Sequence, residues 1–230
     1  MTDQDPELPD LTRIPDPWRQ SPPPAPVQAP RPSPAGRTRS ERARGRRTAL
    51  LVAAGWLVAQ LGVAGIRGDI RHIHVSYALV LGAAPALAGL LCVVAAVSPG
   101  RMGLGMRVGA LAGLAVVLPL GFMLSGYALS PPYAEAPGGG FKHGVFCFNI
   151  ALAWTTVPLL AAGLALRGSF VTRAGWRSAL VGAGAGLVVA ATSFLRCPVS
   201  SAWHVALSHG GAVVVSALLG AFVLARVTRV

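Results

Sequence analysis

Acidic side chains are scarce in this chain: eight Asp and Glu stand against twenty Lys and Arg in 230 residues, and lysine occurs once, at Lys142. Six of the eight acids (Asp3, Asp5, Glu7, Asp10, Asp16 and Glu41) lie before residue 48. Apart from Arg107 and Arg177, each within two residues of a loop, no Asp, Glu, Lys or Arg falls in the apolar stretches that follow. A charge at mid-bilayer costs at least about 2.5–3.5 kcal/mol and is kept where it works, so pumps and proton-coupled carriers carry one. Its absence here argues against charge-coupled transport and against an intramembrane acid–base enzyme. The expectation is a non-enzymatic protein. Short alternating segments are missing too, and they are the mark of a membrane β-barrel.

What is present is oil. The chain is 53% hydrophobic and 12% charged, with a mean hydropathy of +0.57. A spanning helix needs roughly 20 apolar residues, and six stretches qualify, near 48–66, 75–97, 106–128, 145–166, 176–195 and 202–224. The first is too long for the apolar part of a cleaved signal, so it reads as a span. The fold class is therefore all-α integral membrane, with six transmembrane helices in residues 48–230 behind a disordered Pro/Arg-rich tail, 1–47.

The net charge of +12 is spread over a tail and loops, which points to membrane topology and the lipid bilayer, with no direct nucleic-acid binding. Sixteen basic residues fall on the side of the tail, the second and fourth loops and the C-terminus; Arg67, Arg71, Lys142 and Arg196 fall on the other. Basic residues stay cytoplasmic on insertion, so both termini are expected inside. Nineteen Arg against one Lys, with abundant Ala and Gly, suggests a GC-rich bacterial genome and hence the bacterial inner membrane.

Within the tail, Leu8, Leu11, Ile14 and Trp18 recur every third or fourth residue, the spacing of a short segment that docks in a partner's groove. Pro9, Pro15 and Pro17 oppose a free helix, so order would come on binding. A solvated tail with scattered apolar residues accounts for them equally well. Arg37 to Arg47 suit a polybasic anchor on anionic lipid. Small residues at four-residue spacing (Gly105, Gly109 and Gly113; Gly182 and Gly186; Ser216 and Gly220) let helices approach closely. Pro85, Pro119 and Pro158 are candidate kinks. The remaining polar residues, Asn149, Thr155, Thr156, Thr192, Ser193 and Ser216, fit interhelical hydrogen bonds.

Sulfur and imidazole are the more informative set. Cys147 opens the fourth span and Cys197 follows the fifth. Two crossings separate them, so they share a membrane face whichever way the chain inserts. Cys92 belongs near the other face, roughly 25 Å along its helix, and reads as packing. His143, His204, His72 and His74 lie on the Cys147 face, with His209 a turn or so deeper. A thiol pair with imidazoles suits a reversible disulfide, capture of a soft metal ion at Cys147 and Cys197 with His204 and His143 as further ligands, or a static bridge. The spacing Cys197-x6-His204 matches no zinc pattern. Sensing, a structural disulfide and no special role all remain open on the residues alone.

The order Cys147, apolar span, Arg167-Gly168, Ala174-Gly175-Trp176, Gly/Ala-rich span, Arg196-Cys197-Pro198, Trp203-His204 and a final Gly/Ala-rich span resembles the NrsF family of bacterial anti-sigma factors. The likeness covers about residues 145–225, and the first three spans by hydropathy. It implies a six-span inner-membrane protein that sequesters an extracytoplasmic-function sigma factor and releases it under oxidative or heavy-metal stress. On that resemblance Cys147 and Cys197 are the sensing pair, and the segment around Leu8, Leu11, Ile14 and Trp18 binds the sigma factor. No cofactor is implied beyond a transient soft metal ion at the thiols. A six-span permease or channel for a neutral or metal solute, and a structural subunit of a larger complex, are the alternatives.

Overall fold

A computed structural model describes residues 38–68, 75–97, 106–129, 140–167 and 173–229. They form six long helices: α1, Arg39–Ala64; α2, Val75–Val97; α3, Val108–Leu129; α4, Phe141–Ala165; α5, Ala174–Arg196; and α6, His204–Thr228. Five of them, α2 to α6, are long and apolar enough to cross a membrane. The expected sixth span is the exception. α1 is 26 residues long, but Arg44, Arg46 and Arg47 occupy its first turns. Its uncharged part, 48–64, rises only about 25 Å, the short end of what spans a bilayer.

The helix begins well before the expected boundary. Thr38 and Glu41 form a reciprocal capping box: the Glu41 amide donates to Thr38 Oγ1 at 3.3 Å, and the Thr38 amide donates to Glu41 Oε2 at 2.7 Å. Capping satisfies amides that a helix start leaves unpaired. Residues 39–47, expected in a disordered tail, are therefore helical. Leu8, Leu11, Ile14, Trp18, His72 and His74 lie outside the described residues.

α5 is the axis of the bundle and touches each of the other five helices. Every residue from Arg177 to Thr192 is buried, although the segment is mostly Gly, Ala and Val. The reason is the size of those residues. A Cβ built on Gly182 would meet the Ser216 carbonyl oxygen at 2.2 Å, and one on Gly220 the Ser178 carbonyl oxygen at 2.2 Å. The α5–α6 seam is thus backbone against backbone, as the small-residue spacing predicts. A second close crossing, α2 on α5, was not legible: Gly89 and Gly184 each place a missing Cβ 2.6 Å from the other's carbonyl oxygen. The Gly stripe of α3 behaves otherwise. Gly109 and Gly113 have open space where a Cβ would stand, because α3 packs through Leu111, Ala115, Pro119, Phe122 and Gly126 on a different face. Large apolar side chains such as Leu51, Leu87, Leu124, Leu160, Leu164 and Phe222 point outward, the pattern of a lipid-facing belt.

Polar groups mostly turn back on their own helices. Thr155, Thr156 and Ser216 donate to carbonyls three or four residues earlier instead of bonding across helices as expected. Thr192 does cross, to the fully buried Gln60 of α1, a residue the sequence inventory omitted. Pro158 removes an amide from α4, freeing the carbonyl four residues earlier; Trp56 of α1 fills that gap, donating its indole N–H to the Trp154 oxygen at 3.0 Å. Arg177, expected in a loop, is buried a turn into α5 and donates to the Ala96 carbonyl at 2.8 Å. There it satisfies one of the carbonyls that the end of α2 leaves unpaired.

Candidate functional site

Three helix ends meet on one side of the bundle: the start of α4, the end of α5 and the start of α6. Cys147 lies six residues beyond Phe141, about 9 Å along α4. His143 precedes it by four positions, so both side chains leave the same face of the helix. Cys197 follows α5 directly, with its amide bonded to the Ser193 oxygen. Six residues, Pro198 to Trp203, then lead back, and α6 starts with a wide-turned segment, His204–Gly210, of π-helical geometry. In a regular α-helix, residues five apart diverge by about 140°; the wider turn closes that angle and brings His204 and His209 to one face. Their rings stand 5.0 Å apart, edge to face.

The structure brings together four of the residues singled out in the sequence. Cys147 Sγ and Cys197 Sγ are 4.0 Å apart, and Cys197 Sγ is 3.3 Å from His204 Nε2. The ring of His143 lies 5.6 Å from that of His204. One donor atom from each of His143, Cys147, Cys197 and His204 falls within 4.8 Å of all the others. Cys147 and His143 are half-buried; Cys197 and His204 are buried. Both thiols are free. Cys92 is buried among α2 and α5 and takes no part, in keeping with its reading as packing.

Two further residues belong to the site. His209 is buried to 1% exposure, with neither ring nitrogen hydrogen-bonded. It lines a cavity of about 190 Å³ together with His143, Cys147, Cys197, Ser193 and Arg196. The second is Arg67. Gly65, at φ 69°, ends α1 with its amide on the Leu61 oxygen, a conformation that glycine adopts without steric cost. The reversed chain carries Arg67 against the end of α5, where its amide bonds the Leu195 oxygen at 2.9 Å. Its guanidinium donates to the Cys197 oxygen at 2.7 Å, to the Pro198 oxygen at 3.0 Å and to Ser200 Oγ at 2.9 Å. A basic residue two positions after a Gly that stops a helix was the available signal, but nothing local names its partner 130 residues away.

The Cys147 thiol, hydrogen-bonded to Cys197, holds Cys197 well below the usual thiol range; burial opposes this and His204 supports it. A thiolate is the reactive form. A lowered value means that the thiolate persists as pH falls. In reduced, metal-free protein, alkylation of Cys197 by a small neutral reagent should keep most of its rate between pH 8 and pH 6. An ordinary thiol would lose on the order of 100-fold over that interval. Mass spectrometry reads the rate residue by residue. Cys147→Ala should move the profile back toward the steep one, and an unmoved profile would remove Cys147 as the cause.

These features define a helical membrane protein carrying a thiol–imidazole cluster near one membrane face. The chain belongs to the NrsF family, described as negative regulator of sigma F, whose family model matches residues 30–229. Its class is thus that of the anti-sigma regulators, with a sigma factor as partner. No curated protein and no solved structure matches the chain.

Proposed function

We propose that the chain is a membrane-bound anti-sigma factor of the bacterial inner membrane. It holds an extracytoplasmic-function sigma factor on the cytoplasmic side and releases it when Cys147 and Cys197 react with an oxidant or a heavy-metal ion. One observation carries the reading: two free thiols from different helices lie 4.0 Å apart, at the side where α4 begins and α5 ends. If α2 to α6 cross the membrane in alternation, this side lies opposite the C-terminus. The surplus of basic residues on the C-terminal side makes that side cytoplasmic, and α1, as a sixth span, returns the N-terminus to it.

The chemistry balances with a peroxide as oxidant. Attack of one thiolate on the peroxide O–O bond gives a sulfenic acid and hydroxide, which takes up a proton to become water. The second thiol displaces a second water, leaving a disulfide, with two electrons passed to the peroxide. A disulfide requires about 2.05 Å between sulfurs, so closing the pair pulls the ends of α4 and α5 together. Packed helices pass such a change on as rigid-body shifts, and α5 touches every other helix. Moving a partner from mostly bound to mostly free takes about 5.5 kcal/mol of differential affinity, more than the 2–4 kcal/mol typical of one disulfide.

In cells carrying Cys147→Ser with Cys197→Ser, a reporter driven by the sigma factor should stay at its unstressed level under peroxide or cadmium. Normal induction in that double variant, with the protein present at wild-type amounts, would remove the pair as sensor.

A further inference from the structure

We infer that His143, Cys147, Cys197 and His204 form a four-coordinate site for a resident zinc ion. The distances discriminate between ion and disulfide. Zinc bonds sulfur at about 2.3 Å and imidazole nitrogen at about 2.0–2.1 Å in a tetrahedron. Those lengths put two sulfurs on one ion about 3.8 Å apart, and a sulfur and a nitrogen about 3.5 Å apart. The separations found are 4.0 Å between the sulfurs and 3.3 Å from Cys197 Sγ to His204 Nε2. A disulfide, by contrast, needs the sulfurs about 2 Å closer. The two sulfurs and His204 Nε2 stand near the corners that an ion requires and away from the geometry of a bridge. His143, whose donor lies within 4.8 Å of the others, has to turn inward to complete the set.

The donor set fits as well. Two thiolates and two neutral imidazoles make the complex with Zn²⁺ uncharged, which suits a largely buried site at the ends of apolar helices, where net charge is costly. With Cys197 already held as the thiolate, binding releases the proton of Cys147. His209 adds to this. Its ring nitrogens are buried and meet no partner at good hydrogen-bonding geometry, the Cys197 sulfur being the polar group beside them, and it lines the same cavity as three of the four ligands. Buried polar atoms without partners in a native protein call for a polar occupant such as a water or an ion.

Where the anti-sigma reading holds, and this step rests on it, loss of the ion is the signal common to both stresses. A peroxide and two protons convert the two zinc-bound thiolates to a disulfide and two waters, freeing Zn²⁺. A softer thiophilic cation takes the thiolates by exchange.

The test uses the full chain purified in detergent under reducing conditions without chelator. Metal analysis should find about one zinc per chain, and exchange with Co²⁺ should give the intense ligand-field bands of a tetrahedral ion with a sulfur-to-cobalt charge-transfer band. Cys147→Ser and His143→Ala should each weaken zinc binding by at least tenfold, while Gly113→Ala, which touches nothing, should bind as wild type. Wild-type protein that takes up neither zinc nor cobalt overturns the site, as does undiminished binding in Cys147→Ser. The cobalt spectrum of the wild type stands even if a variant fails to fold. A chain without zinc that still releases its sigma factor on oxidation overturns the ion and leaves the thiol switch. Zinc bound by wild type and lost from a Cys147→Ser, Cys197→Ser form that induces normally supports the ion and removes the switch.

Discussion

Gly182→Ala and Gly220→Ala should each leave the protein barely folded, while Gly109→Ala and Gly113→Ala should leave it unchanged. The first two would place a methyl carbon 2.2 Å from a carbonyl oxygen of the facing helix. Ordinary contact lies near 3.5 Å, so α5 and α6 must part by about 1 Å along a seam that also contains Gly186 and Ser216. The facing atom is backbone in both cases, which cannot rotate away as a side chain could. Overpacking of a well-filled interior costs about 1–3 kcal/mol and occasionally more, and a seam with no flexible atoms belongs at the upper end. The parting would also open the Ser178–Thr228 bond, 2.9 Å long and buried between the same helices. Denaturant titration of purified protein in mixed micelles measures the loss. Equal damage from Gly113→Ala would show that the stripe in α3 is packed after all, and tolerance of Gly182→Ala would show that the seam is looser than drawn.

These glycines also mark how far the sequence could be read. Hydropathy located five spans to within a few residues because the signal is local: a window of apolar residues either fills a bilayer or does not. The small-residue spacing at Gly182, Gly186, Ser216 and Gly220 correctly identified a close seam, since two helices that follow one another with a short loop pack as neighbours. The same spacing at Gly109 and Gly113 misled, because periodicity names a face but not whether another helix covers it. The Gly89–Gly184 crossing has one glycine from each helix and so leaves no repeat to find. At the site, parity was enough to place Cys147 and Cys197 on one face. It could not give the 4.0 Å separation, which depends on how α4 rotates against α5. Nor could it bring in His209 as a neighbour of His204, because a run such as His204–Gly210 carries no warning that its turn is widened. Charge patterning failed in the same way at Arg177 and Arg67. Both were counted as loop residues, and both are buried, each spending its guanidinium on carbonyls that a helix end or loop leaves bare.

Arg67→Leu should release the loop that fixes Cys197. Among its partners the guanidinium satisfies two backbone carbonyls, Cys197 and Pro198, and one hydroxyl, Ser200 Oγ. A leucine keeps the bulk and removes every donor. A buried acceptor left unmet costs about 1–3 kcal/mol, so a loss of at least about 3 kcal/mol is expected for the set. Arg67→Lys should recover little of it, because an ammonium on a flexible stem cannot reproduce the planar fork that reaches neighbouring carbonyls together. The consequence for the thiols separates a clamp from a merely structural residue. With the loop held, Cys197 Sγ stays 4.0 Å from its partner. With the loop free, the sulfur can swing the further 2 Å or so that a disulfide demands. Arg67→Leu should therefore form the Cys147–Cys197 disulfide at a milder glutathione poise than wild type, as read by thiol trapping of the membrane-embedded protein, and raise sigma-dependent output without stress. A variant that is destabilised but keeps the wild-type redox midpoint would show that Arg67 supports the fold and does not set the spacing of the pair.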